Sequence, residues 1–390
     1  MSTYWRKQVQ TGPDIFDIAV IGGGPAGTSA AAVAARTGMS TILLEAKSEI
    51  GTPVQCGEGL SDRALKYSGL GDGKWIVHPI DGYRLFSPSG GYVGSKTNGF
   101  SIDRHLFDSE LGRIAEAEGC IMRLSANVVS ADREGDHWKL RTKDGMVQTR
   151  GVVLATGPMS HLNNTFGLTR NIEMMRGIGA KISRKDASTK MDFYVKEELQ
   201  GGYGWYFPRG KEVNIGIAAR NDLKKWFEWF KRRLNIKESE IISYHGGIVP
   251  DGGPIEKFVG DAVVAAGDCG GFSHPVSKGG IYCAMVSGRE ASKAMAEHLS
   301  GNSRALPDLD RNLRSHPGFS MANIKRRDFL ASLSDRDLDG ITSLAKGRDI
   351  QTIDRKRIAL EAITRPDLYP LIKKGLTMVQ KGRDWLDYTF

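Results

Sequence analysis

GGGPAG, residues 22–27, decides the fold. It follows an apolar run, IFDIAVI at residues 15–21, which reads as a buried parallel strand. It opens a run of small residues, 28–35, which reads as a helix able to lie close on a sheet. A second apolar run, TILLEA, carries Glu45 near its end. Strand, glycine turn, helix, strand and acid, with the acid about 20 residues beyond the turn, make a dinucleotide-binding unit. In such a unit Gly22 permits the tight turn and Gly24 lets the backbone approach a pyrophosphate. Gly27 lets helix and sheet touch, and Glu45 accepts the ribose hydroxyls. Ala26 belongs to the same turn. The start of the helix favours an anion through its unpaired N–H groups and dipole.

The chain has 390 residues, enough for two or three domains with real cores. An apolar content of 40% and a charged content of 25% are ordinary for a globular protein. No run approaches the roughly 18 apolar residues of a membrane span. The N-terminus, MSTYWRKQVQTGPD, is polar and lacks an apolar signal core, which predicts a cytoplasmic protein. The 4 cysteines, Cys56, Cys120, Cys269 and Cys283, form no C-x-x-C pair. That spacing excludes the usual iron–sulfur clusters, offers no metal site and argues against a disulfide framework. The net charge of +9 comes without any nucleic-acid motif. It suits either an anionic partner or a merely solvated surface.

After the first βαβ unit comes GTPVQCGEGLSDRAL, residues 51–65, a glycine-rich loop around a lone Cys56 flanked by Gln55 and Gly57. Residues 76–102 read as short strands with turns, an excursion into a second domain. Asp103 can cap a helix over 104–118. Residues 120–154 read as a hairpin-rich region with a turn at KDG, returning as a buried strand at 152–155. Residues 172–219 alternate like antiparallel strands and include YGWYFP. NDLKKWFEWFKRRL, residues 221–234, is an amphipathic helix, either packed on the sheet or lying at a membrane surface. DAVVAAGDC, residues 261–269, reads as a buried strand, and a small-residue helix runs from about 281 to 299. The domain division that follows assigns 14–75, 103–170 and 255–300 to a nucleotide-binding domain. Residues 76–102 and 171–254 form a substrate domain, and 301–390 a C-terminal helical region.

Two further features favour a flavin. The strand ending at Gly267-Asp268 puts a carboxylate where a ribityl hydroxyl can donate to it. The helix beginning at Gly279-Gly280-Ile281 can stabilise negative charge on a flavin ring. MRGIGAKI lacks the spacing of a second glycine turn, so no dedicated NAD(P)H domain is expected. Residues 14–300 resemble FAD-dependent oxidoreductases of the para-hydroxybenzoate-hydroxylase architecture, and more narrowly the geranylgeranyl reductase family. The narrower resemblance rests on PVQCGEG (53–59), SIDRHLFD (101–108), YGWYFP (203–208) and GDCGGFSHPVSKGGIYCAMVSG (267–288). KRRDFLASLSD, 325–335, is similar in kind. The resemblance implies an α/β chain, α+β overall: a Rossmann-like FAD domain, an inserted antiparallel-sheet substrate domain and C-terminal helices. It implies that FAD is held by the glycine turn, Glu45, Arg104, Val128, Asp268 and residues 279–281, with the ring beside Cys56 and Gly57. Tyr203, Trp205 and Phe207 would line the substrate cavity.

Three positions depart from the family pattern: Thr156 stands where an acid is usual, Cys269 where alanine is, and Lys278 where a small or acidic residue is. Lys278 would hold an anion near the ring or face solvent. The implied activity is reduction of carbon–carbon double bonds in a prenyl lipid or prenyl diphosphate, with Cys56 as proton donor or as packing under the ring. The electron donor would be a ferredoxin or NAD(P)H, and the protein would touch a membrane peripherally. Competing readings are a flavin monooxygenase, an electron carrier to quinone and a non-catalytic prenyl-binding flavoprotein.

Overall fold

The first sheet grows outward from Ile15–Ile21, whose interior position follows from an apolar run broken only by Asp17. Thr41–Leu44 pairs with it in parallel on one side and Gly145–Leu154 on the other. Val263–Ala265 and Ile121–Arg123 extend the sheet, again in parallel. Gly145–Leu154 has two roles: its first half closes a hairpin with His137–Thr142 and its second half joins the parallel sheet. This computed structural model describes residues 15–170 and 173–345.

The helix after the glycine turn, Pro25–Arg36, packs against the late helix Ile281–Leu299 and against Arg104–Ala117. Small residues make these contacts close. A Cβ at Gly27 would lie 1.8 Å from the carbonyl oxygen of Gly22, and one at Gly288 would lie 2.1 Å from that of Ala26. The start of the chain and residue 288 thus build one core. Asp103 caps Arg104–Ala117 by accepting the Leu106 N–H at 3.0 Å.

The second sheet also has 8 strands, in the order Ile241–Pro250, Met174–Ile182, Val213–Ala219, Tyr203–Pro208, Lys190–Tyr194, Ile76–Phe86, Tyr92–Ile102 and Gly59–Ser61. All neighbours are antiparallel except Lys190–Tyr194 with Ile76–Phe86. One face carries Ala180, Ile182, Val213, Ile215 and Ile217 against Trp226, Phe227 and Phe230 of helix Leu223–Arg233. The amphipathic helix is therefore packed on the sheet by its aromatic face. The other face carries Tyr203, Trp205 and Phe207.

Residues 76–102 differ from the expected short strands: they are two strands of 11 residues each. Register shifts at Ile76/His78 and Ile80/Gly82 break the alternation on which the sequence reading relied. The expected strand at 261–269 shrinks to Val263–Ala265, because Gly267 at φ +62 turns the chain into a short 3-10 segment. Helices Ala305–Ser315, Met321–Ala331 and Asp335–Ala345 follow, and the rest of the expected helical region lies outside the described residues. Among the described residues no helix is long and apolar enough to cross a membrane.

The contact at Gly288 yields a stability test. Gly288→Ala must force two fully packed helices apart. It should cost about 1–3 kcal/mol, read as a lower urea midpoint with an unchanged slope. A midpoint equal to the parent's would show that the crossing is looser than described.

Candidate active site

One cavity of about 560 Å³ runs from the glycine turn to the aromatic face of the second sheet. Gly24, Ala26 and Glu45 line one end, Cys56, Gly57 and Arg104 the middle, and Tyr203, Trp205 and Phe207 the other. Asp268, Gly279, Gly280 and Ile281 lie along its side. Gly22 and Gly27 stand behind the lining: Gly22 holds φ +109 against Ala155, and Gly27 packs on Gly22. Val128 is not among the lining residues; it is buried in the core at the start of its strand. Glu45 accepts the Gly23 N–H at 2.5 Å and the Lys47 N–H at 2.8 Å, which fixes the acid beside the turn.

Why the Cys56 loop sits where it does is answered by Glu58, which is fully enclosed. Its Oε2 meets Lys181 Nζ at 2.8 Å, Arg209 Nη1 at 3.0 Å and Asn214 Nδ2 at 3.3 Å. Its Oε1 accepts the Arg104 N–H at 3.3 Å. The Glu58 N–H, at φ +65, points back to the Cys56 sulfur at 3.2 Å. Asn214 also donates to the Cys56 carbonyl at 3.1 Å and accepts the Trp205 indole N–H at 2.9 Å. The loop is thereby joined to the aromatic wall, and a Cβ at Gly57 would lie 2.9 Å from the Phe207 ring. Two of the sequence motifs meet here as well. Ser101 donates to the Pro208 carbonyl at 2.6 Å, and Arg209 Nη1 donates to that of Ile102 at 2.5 Å.

Arg104 grips Asp108 through two bonds, of 3.0 and 2.8 Å. Burial works against its charge, yet Asp108 and the neighbouring Cys56 sulfur hold its pKa above the ordinary value. Burial pushes Asp268 up to about 6, opposed by Arg104. Burial, and then the nearby Cys56, raise the Tyr203 phenol. The Tyr203 hydroxyl already donates to the Ser277 carbonyl. It is a poor acid whose proton is committed elsewhere.

Residues 271–280 are tied down from behind. Lys278, at φ +60, is nearly buried, donates to the Pro275 carbonyl and pairs with Asp251 at 3.3 Å. Burial lowers its pKa to about 8, against the pull of Asp251. Its side chain does not face solvent, one of the two readings open from sequence. Asp251 also meets Arg220 at 2.9 Å, and its carbonyl accepts from Arg327. His274 is buried, and its Nδ1 takes the Ser277 N–H at 3.2 Å. Asn323 of helix Met321–Ala331 lies 3.3 Å from its Nε2. Of the three departures, Cys269 is quietly accommodated, donating to the Leu154 carbonyl at 2.9 Å. Thr156 is passed over by the lining, which takes Ala155 and Gly157 on either side.

Sequence reasoning missed Lys181, Arg209, Asn214, His245 and Asp251. Glu58 entered only as a letter of the PVQCGEG motif. Asn214 had one readable signal: a single amide in VNIGIAA, a strand buried throughout.

A family model described as pyridine nucleotide-disulphide oxidoreductase matches residues 16–186. Together with the parallel sheet and glycine turn, it defines an FAD-dependent oxidoreductase. The digeranylgeranylglycerophospholipid reductase of Methanocaldococcus jannaschii is 30% identical over 387 residues, covering 92% of this chain and 98% of the relative. That of Methanocella arvoryzae is 30% identical over 382 residues, covering 90% and 96%. The chain belongs to this family, of the geranylgeranyl reductase type. A solved geranylgeranyl bacteriochlorophyll reductase-like protein from Thermoplasma acidophilum superposes with a TM-score of 0.82 at 26% identity, covering 93% of this chain and 99% of that one. A flavin-dependent brominase, with a TM-score of 0.67 at 19% identity, covering 85% of this chain and 94% of that one, shares the fold alone.

The buried carboxylate can be tested directly. Glu58→Gln keeps the shape but leaves Lys181 and Arg209 facing a neutral group. Breaking a buried pair this way costs about 3–5 kcal/mol. Equilibrium urea unfolding should show a loss of that order, and a loss under about 1 kcal/mol would mean that packing alone holds the loop.

Proposed function

We propose that this chain saturates double bonds in geranylgeranyl chains of an isoprenoid glycerophospholipid, with Cys56 as the proton donor. The observation that carries the reading is the clamping of the Cys56 loop across the aromatic wall, inside the same cavity as the glycine turn. The family to which the chain belongs supports the lipid class. An isolated prenyl double bond is unactivated, so the chain must be held flat in a dry slot. Tyr203, Trp205 and Phe207 supply such a wall.

The residues fit FAD. A Cβ at Gly24 would meet no protein atom within 4 Å, so the turn leaves room for a pyrophosphate. Helix Pro25–Arg36 starts with no side-chain cap, leaving its first N–H groups for an anion. Glu45 would take the ribose, and Asp268 with residues 279–281 would take the ribityl chain and the ring. Arg104 is assigned to the same cofactor. When bound and reduced, FAD supplies the hydride. Cys56 gives the proton to the other carbon, and its thiolate is then stabilised by the Glu58 N–H and by Arg104. We assign electron delivery to an acidic carrier of the ferredoxin type, drawn by the net charge of +9. A lipid substrate calls for peripheral contact with a membrane.

Two experiments test the reading. Gly24→Val should give a folded protein without FAD, seen as a normal circular dichroism melt and no visible flavin absorbance. Full flavin occupancy would refute the pyrophosphate site. For the reaction itself, chemically reduced enzyme is mixed with a digeranylgeranylglycerophospholipid without oxygen. Reoxidation of the flavin is followed in the parent and in Cys56→Ser. The parent should be reoxidised. The variant should bind and reduce FAD normally but reoxidise about 10²–10⁴-fold more slowly, the usual worth of a general acid. Equal rates would reduce Cys56 to a packing residue.

A further inference from the structure

Each saturated double bond consumes one hydride and one proton, and a geranylgeranyl chain offers several such bonds. Cys56 holds one proton. After the first transfer its S–H electrons remain on sulfur as a thiolate, and it must be recharged before the next. With lipid filling the slot, bulk water does not reach it freely.

The other groups around Cys56 are already committed. Tyr203 donates to Ser277, Lys278 is paired with Asp251, Asp268 faces Arg104, and Glu58 is held by Lys181 and Arg209. His245 differs. It lies on Ile241–Pro250, the outer strand of the second sheet, and lines the same cavity. Its neighbour across the strands is Gly179. A Cβ there would lie 2.6 Å from His245 Nε2, so the absence of a side chain makes room for the imidazole to lie across the strand. Nε2 is enclosed and has no hydrogen-bond partner, while the residue as a whole is only partly buried. One ring nitrogen is thus enclosed within the cavity wall, while the residue keeps some exposure. The Trp205 ring centre is 6.4 Å away. The Cys56 loop passes overhead, with Gln55 3.5 Å from a Cβ at Gly247, on the same strand and face as His245, and Gly57 against Phe207. The charged groups facing His245 among the described residues are Glu58 and Lys181.

We propose that His245 is the relay that reprotonates Cys56 between successive reductions. The inference rests on Cys56 as proton donor. An imidazolium N–H breaks at Nε2 and its proton forms the new S–H on the thiolate. That imidazolium forms when the resting neutral ring, with its hydrogen on Nε2, takes a proton from water at its other nitrogen, and tautomer exchange afterwards returns the hydrogen to Nε2. Per double bond the enzyme takes up one proton from solvent and one hydride from the reduced cofactor, leaving the cofactor oxidised. Burial, reinforced by Lys181 and opposed by Glu58, lowers the His245 pKa from its ordinary value. Recharging should therefore slow as pH rises through a value below the usual histidine range.

The test uses the FAD-loaded full chain, a digeranylgeranylglycerophospholipid and no oxygen. In His245→Gln, the first reoxidation of reduced enzyme should stay within about twofold of the parent, because Cys56 starts protonated. Sustained turnover with excess dithionite should fall about 10²-fold, at the low end of a general acid's worth. The fall in rate between pH 5 and 8 seen in the parent should flatten. In His245→Ala, added imidazole should restore part of the sustained rate. FAD content and dithionite reduction should match the parent in both variants. Parent-like sustained turnover and pH profile in His245→Gln would overturn the relay and leave the proposed function standing. So would a first turnover slowed as much as the later ones, since that marks a direct or structural role. Failure of the parent itself to be reoxidised by the lipid would overturn both.

Discussion

A carboxylate with no access to water holds four segments of this molecule together. Glu58 sits at the end of the Cys56 loop and faces Lys181, Arg209 and Asn214 from the second sheet and the Arg104 N–H from a helix of the first. A buried charge is tolerated only when its partners are in place. The arrangement therefore fixes position more than it adds stability. Three of the partners are also tied to something functional. Asn214 holds Trp205 and the Cys56 carbonyl, Arg209 holds the strand ending at Ile102, and Arg104 reaches towards both Cys56 and Asp268.

The wall opposite that loop depends on residues that lack side chains. Trp205 pairs with Gly216, which pairs in turn with Gly179. Cβ atoms at these glycines would come within 2.0 and 2.8 Å of the indole. Their absence lets the ring lie against the sheet and leaves depth above it. The far side of the sheet is filled by the aromatic residues of Leu223–Arg233, and Phe230 presses on Gly204. The strand that presents the wall is thus held from both faces, and the phenol of Tyr203 ties its start to residues 271–280.

The nucleotide half was legible because its constraints are local: strand, turn and helix follow one another within residues 15–36, and the glycines have no substitute. The aromatic wall was legible as a motif. The polar girdle was not. Val213, Ile215 and Ile217 mark one face of their strand as buried, so Asn214, Gly216 and Ala218 read by alternation as the face turned to water. They are buried because the Cys56 loop and Trp205 cover them, and that covering comes from residues far away in sequence. Glu58 and Asn214 are 156 positions apart. Lys181 and Arg209 look like ordinary surface cations until Glu58 is seen between them. Lys278 was ambiguous for the same reason: its partner, Asp251, directly follows a strand of the other sheet.

The chemistry of the girdle also bears on which groups can carry protons here. The charges around Cys56 come in opposed sets: Arg104 with Asp108, Glu58 with Lys181 and Arg209, and Lys278 with Asp251. Paired charges hold their geometry while presenting little net field to draw water into an apolar slot. A proton carrier in such a slot must be cheap to bury in its resting form. A free carboxylate is not, because an isolated buried anion is costly or else neutralises by shifting its pKa. A thiol and a neutral imidazole are both uncharged at rest. Burial lowers the pKa of His245, which keeps it neutral until a proton is in transit. Cysteine and histidine are therefore the side chains that can sit against a prenyl chain and still exchange protons. Of the two, the cysteine lies on the loop that Glu58 fixes, and the histidine on the outer strand of the second sheet.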